Sequence, residues 1–108
     1  MKVALNNHFG GFRLDTGVTM RMGLPWNHGY IDATDLGLPE ETPLLTVRSH
    51  PRLIEAIEAV GADKAHAAWH AGDSIRVVEI PDGCMTVYID DYDGRETLVW
   101  SESEVHHA

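Results

Sequence analysis

Two histidines four residues apart, His66 and His70, are the first residues whose spacing suggests chemistry. On a helix such positions share a face, and paired imidazoles on one face suit zinc. A zinc site wants a third ligand, however, and the H-E-x-x-H pattern puts glutamate where this chain has Ala67. The chain holds seven histidines, so coincidental spacings are common. The expectation is therefore surface histidines on a short alanine-rich helix over residues 62–71, with no metal assigned.

Asp90, Asp91, Asp93 and Glu96 surround Gly94 and share the composition of a calcium loop. The spacing fails, because Ile89 stands where the first ligand would be. Asp93-Gly94 is explained as a two-residue turn, which sets Asp91 opposite Glu96 as a like-charge pair. An acidic hairpin tip of this kind is a candidate for meeting a basic partner. The partner-binding residues expected are Tyr88, Asp90, Asp91, Asp93 and Glu96, with Trp26 as an exposed aromatic anchor.

A third constellation is Asn7, His8, Phe9, Gly10, Gly11, Phe12 and Arg13. It combines polar side chains, aromatics and glycines that permit close approach, and is the expected place for a small, nucleotide-like ligand. Neither G-x-G-x-x-G nor a glycine-lysine-serine/threonine ending is present, so no nucleotide fingerprint is met. His8 and Asp15 could form an acid/base pair, the basis of a hydrolase alternative, but no nucleophile in a G-x-S-x-G setting accompanies them. Cys84 has no placed histidine to activate it. No catalytic residue and no cofactor are assigned.

The elements that must position these groups are legible from turns and periodicity. Pro81-Asp82-Gly83 and Asp93-Gly94 divide residues 75–100 into three strand-like runs. Read as hairpin loops, they pair Val77 with Val87 and Ile75 with Ile89, then Ile89 with Leu98 and Val87 with Trp100. Ile75, Val77, Met85, Val87, Ile89, Leu98 and Trp100 then share one apolar face. Arg76, Val78, Ile80, Cys84, Thr86, Tyr88, Thr97 and Val99 form the other, read as half-solvated or as a second covered face. Upstream, residues 2–5 suggest a strand, and Asp15 a helix cap for a helix running to Met22. Residues 23–41 suggest a long loop, and residues 44–48 a second short strand. Pro51 opens a helix over residues 50–60, with Leu53, Ile54, Ile57 and Val60 on one stripe and Gly61 ending it. The expected fold is α+β: a small, mainly antiparallel sheet whose C-terminal three-stranded meander (75–80, 84–91, 95–101) packs on that helix, all in one domain over residues 1–108.

Composition narrows the partners. Seventeen acidic against eight basic side chains give a formal charge of −9. That balance disfavours direct nucleic-acid binding, which relies on clustered lysine and arginine. A single cysteine excludes an internal disulfide. No spanning apolar stretch or secretory leader is recognisable, so a cytoplasmic location away from membranes is expected.

Lys2-Val3-Ala4-Leu5-Asn6 running into Gly10-Gly11-Phe12, His50-Pro51-Arg52-Leu53-Ile54-Glu55, Val77-Val78-Glu79-Ile80-Pro81-Asp82-Gly83, and Tyr92-Asp93-Gly94-Arg95-Glu96 together resemble a family of small acidic proteins encoded by phages and prophages, whose function is uncharacterised. The match covers about half of the chain, and Gly11-Phe12-Arg13-Leu14-Asp15 departs from the Gly-Phe-Gly-Leu-Ser of that family. The resemblance implies a phage accessory protein in the host cytoplasm. With no complete catalytic constellation, the expectation is a non-enzymatic protein that binds a host or defence-system component through a basic surface of that partner. The alternative is a sponge for a nucleotide-like small molecule, as a homo-oligomer in one version.

Overall fold

The computed structural model describes residues 1–8, 10–25, 27–67, 74–102 and 104–108. In chain order they form β1 (Lys2–Asn6), α1 (Thr16–Arg21), a 3-10 helix (Ala33–Leu36), α2 (Leu44–Arg48), α3 (Pro51–Val60), β2 (Ile75–Glu79), β3 (Thr86–Tyr92), β4 (Arg95–Ser101) and β5 (Val105–His107). The fold is α+β, with an antiparallel two-stranded ribbon β1–β2 and an antiparallel meander β3–β4–β5.

The Asp93-Gly94 turn forms as its residue types require. Both central residues have positive φ, 53° at Asp93 and 92° at Gly94, as a two-residue hairpin with the right twist demands. The resulting register pairs Ile89 with Leu98, Val87 with Trp100 and Asp91 with Glu96, as the sequence predicts.

The pairing expected across Pro81-Asp82-Gly83 is different. Gly83 does turn the chain with φ 78°, but β2 does not fold back on β3. It pairs with β1, placing Ala4 opposite Val77 and Val3 opposite Val78. The third strand of the meander is β5, with Trp100 opposite His106. The cause lies in the two-faced apolar character of both ribbon strands. Ala4, Ile75 and Val77 belong to one hydrophobic cluster, whereas Val3, Leu5, Val78 and Ile80 belong to another. A hairpin of β2 with β3 would give β2 cover on one face only. Pairing with β1 between two cores covers both, because alternate side chains point to opposite faces.

The first cluster lies on the helical side. α3 contributes Leu53, Ile54, Ala56 and Ile57, and α1 contributes Val18, with Met22 just beyond it. Ten residues are too few for a stable isolated helix, so α3 is held by this packing, at roughly 1.5–3 kcal/mol per large buried side chain. Its ends follow the sequence signals. His50 caps it by accepting from the Arg52 amide at 3.2 Å, and Pro51 stands in its first turn. Asp15 likewise caps α1, accepting from the Gly17 amide at 2.9 Å.

Leu98, Val87, Ile89 and Trp100 of the meander build the second cluster with the opposite face of the ribbon. The main helix thus packs on the ribbon rather than on the meander. Met85, expected in the apolar face, is exposed, while Ile80 and Val99 on the other are buried.

Two further expectations change. Residues 44–48 are the helix α2, not a strand. Pro43 precedes it with φ −58° and its carbonyl accepts from the Thr46 and Val47 amides. As the N-cap, Pro43 brings a fixed φ and leaves its carbonyl to open the first turn, and helical spacing brings Leu45 and Arg48 to one side. Leu45 then joins the meander cluster. The segment 23–41 is not structureless either: Asp32 and Asp35 form a reciprocal capping box around Ala33–Leu36.

Candidate functional site

Asn6 ends β1 and is fully buried. Its amide Nδ2 donates to the carbonyls of Gly10 at 2.8 Å and Gly94 at 2.9 Å, and its backbone amide donates to Glu96 Oε1 at 2.7 Å. One side chain therefore ties the glycine loop to the hairpin turn. The Gly10 amide completes the tie by donating to the Asp93 carbonyl at 3.0 Å. At Gly94 any Cβ would overlap the Gly10 backbone; this is the close approach that requires glycine.

Beneath that junction lies an ion pair. Arg48, from the end of α2, grips both carboxylate oxygens of Glu96 through Nη1 and Nη2, the latter at 3.0 Å. The two side chains are only 7% and 5% exposed. Nη1 also donates to the Ala4 carbonyl, and the Phe12 ring lies 3.7 Å from the guanidinium carbon. Arg76 Nη2 donates to the Glu96 backbone carbonyl at 3.4 Å. Isolated charges at such depth cost several kcal/mol, and only this bidentate, further bonded geometry makes them tolerable.

Glu96 is consequently no part of an exposed acidic tip. The like-charge apposition with Asp91 exists in register only, because the Glu96 carboxylate turns inward to Arg48 while Asp91 Oδ1 accepts from the Gly94 amide at 2.8 Å. A sequence signal for this was present. Glu96 lies two and four residues before Leu98 and Trp100, on the core-facing side of its strand. A carboxylate there implies a buried cation, which Arg48 supplies. Arg48 was missed because its segment reads as a strand.

The remaining expected ligand residues are distributed around the same junction. Asn7 bonds Ser74 through both its backbone amide and Nδ2, each at 3.0 Å. The His8 ring meets His66 edge-on, with centroids 4.0 Å apart. His66 is buried in an isolated bridge to Leu14, with Nε2 3.4 Å from the Gly11 carbonyl. It is thus neither on a helix nor on the surface. Residues 62–64 form a turn in place of the expected helix, closed by the Lys64 amide on the Gly61 carbonyl. The chain then runs beside residues 13–14, where the Ala67 amide donates to the Arg13 carbonyl. His70 and residues 68–71 of that expectation fall outside the described residues, as do Phe9 and Trp26. Arg13 donates from Nε to the His28 carbonyl at 2.8 Å, with its guanidinium 5.5 Å from the Tyr30 ring centre. Among the described residues, no cluster of three or more His, Cys, Asp or Glu could hold a metal ion.

Beside the junction, Phe12, Tyr30, Asp32, Glu40, Thr42 and Arg48 line part of a cleft of about 400 Å³. Aromatic walls, two carboxylates and an arginine already engaged by Glu96 give it an acidic to neutral lining. A broader groove along α3 is rimmed by the Lys2–Glu58 ion pair, 3.1 Å long.

The other candidate surface is the outward face of β3. Tyr88, Asp90 and Tyr92 alternate along it, with Tyr88 50% and Tyr92 76% exposed and Asp90 also exposed. Thr97 and Arg95 lie opposite on β4. Asp93 is exposed at the tip. Most basic side chains elsewhere are engaged: Lys2 by Glu58, Arg21 by Glu55, Arg48 by Glu96, and Arg52 by the carbonyls of Met22 and Asp35. No helix among the described residues is long and apolar enough to cross a membrane. Comparison with protein-family models, with curated proteins and with solved structures returns no match.

Proposed function

We propose that this chain is a non-enzymatic binding protein, and that it docks the outer face of its β3–β4 hairpin on a basic surface of a host or defence-system component. The observation that carries the reading is the exposed alternation Tyr88–Asp90–Tyr92 on β3. Tyrosines bring large contact area at low entropic cost, and the carboxylate beside them selects a cation. The overall charge of −9 would steer a basic partner toward the chain.

Capture from host lysate at low salt tests the reading. The wild-type chain should retain a specific partner, and retention should fall on raising salt toward 0.5 M, where the screening length drops to a few ångströms, roughly 4 Å. The double variant Tyr88→Ala, Asp90→Lys should lose it about tenfold or more. A partner held equally well by the variant would sink the proposal.

The cleft beside Phe12 supports a second reading, a small-molecule binder. Phe12 and Tyr30 could stack a planar base, whereas Asp32 and Glu40 would oppose phosphate groups. A thermal-shift comparison of nucleosides with their phosphates would show stabilisation by mass action if this site is used.

A further inference from the structure

The backbone of β3 carries information that its side chains do not. Among the described residues, β3 has a paired neighbour on one side only, β4. Which of its amides face the other side follows from the ladder. Leu98 exchanges both of its backbone hydrogen bonds with Ala108, beyond β4 in the direction of β5. Adjacent residues in a strand direct their polar groups to opposite sides, so Thr97 and Val99 direct theirs to β3. Their register partners are Asp90 and Tyr88. The two-residue turn gives the same phase, since it closes on a hydrogen-bonded pair, Tyr92 with Arg95. Val87, Ile89 and Asp91 therefore present their amides and carbonyls outward, along an edge that no other described strand occupies.

From this edge we infer that β3 accepts an extended, basic segment of a partner polypeptide as an added strand. The inference rests on the docking face proposed above and specifies how that face is occupied. Three outward amide and carbonyl sets span five residues, the length of an ordinary strand pairing. Side chains of an added strand alternate, and those on the outer side would meet Tyr88, Asp90 and Tyr92. Cross-strand neighbours of opposite charge stabilise a pair and like charges oppose it. A second copy of this chain would bring the same net charge of −9 and two more carboxylates to the edge, so edge-to-edge self-pairing is disfavoured. Lysine or arginine at alternate positions of the incoming strand fits both the carboxylate and the tyrosine faces.

The probe is a fluorescent twelve-residue peptide of alternating lysine and valine, compared with a glutamate–valine peptide and with a lysine–valine peptide N-methylated at alternate residues. The full chain should bind the first at low salt and not the second. N-methylation, which removes edge hydrogen bonds while keeping charge, should weaken binding about tenfold. Amide exchange at Val87, Ile89 and Asp91 should slow about tenfold or more on saturation, by the same conversion.

Binding that perturbs Tyr88 and Asp90 without protecting those three amides would overturn strand addition and leave the docking face standing. Failure of the lysine–valine peptide to bind would also overturn it, whatever partner the lysate capture retains. Sedimentation showing a dimer that already protects these amides would assign the edge to a second copy and overturn the basic-segment inference.

Discussion

Arg48 and Glu96 show how one contact decides the value of a charge. Each would be costly alone at this depth; together with the Asn6 amide and Ala4 carbonyl they are satisfied. Arg48→Ala leaves the Glu96 carboxylate buried without its cation, and urea denaturation should show a loss of about 3–5 kcal/mol. Arg48→Met combined with Glu96→Leu should cost less than Arg48→Ala alone, because no unpaired charge is left behind. Asp32 offers a second test at this scale. The Thr34 hydroxyl, followed by the Asp35 amide, bonds its carboxylate and holds its pKa below the ordinary 3.8. A lowered folded-state pKa means the cap contributes fully above the ordinary carboxylate range and is lost as pH falls through the depressed value. Carboxyl-carbon NMR titration should find the Asp32 midpoint below 3.8 in the wild type and nearer to it in Thr34→Val.

The β3–β4 hairpin was legible as an element because its turn residues carry their own conformational requirement. Asp93 and Gly94 permit positive φ wherever they occur, and alternation on either side sets the register. What they cannot express is what the turn touches. Gly94 is needed twice, for φ 92° and for the approach of the Gly10 backbone. Gly83 has φ 78° with open space around its missing Cβ. Gly83→Ala should therefore cost only the left-handed strain of about 1–2 kcal/mol. Gly94→Ala adds a backbone clash no rotamer relieves and should cost at least about 3 kcal/mol. Equal losses in thermal or urea unfolding would disprove the docked-turn account. β2 is the complementary case, in which local pattern misled. Pro81-Asp82-Gly83 does turn, but a turn signal states that the chain bends and not which strand it meets next.

Across the whole molecule, the β1–β2 ribbon joins two hydrophobic clusters that share a wall. Ala4 faces the α1–α3 side and its neighbours Val3 and Leu5 face the meander. Disturbing either cluster should then be felt by the other. Ile57→Ala in the first and Leu98→Ala in the second should each cost about 2–5 kcal/mol. In both variants, hydrogen exchange of the slowest amides in α3 and in β4 should report one common opening free energy, as a single cooperative transition requires. Different values in the two elements would mean that the clusters unfold independently.

Segments far apart in sequence meet at one junction. Asn6 bonds the carbonyls of Gly10 and Gly94, while Phe12 and Glu96 close on Arg48. The amino-acid sequence by itself determined the α+β class, the caps of α1 and α3, the type of the Asp93-Gly94 turn and the β3–β4 register. Those features depend on dihedral preference, capping groups and periodicity within a few residues. Only tertiary structure decided that β2 joins β1, that residues 44–48 coil into α2, that Arg48 is the cation that meets buried Glu96, and that no other described strand pairs with the outer edge of β3. Each of these depends on which distant surface supplies the missing cover or countercharge, and no local pattern encodes that choice.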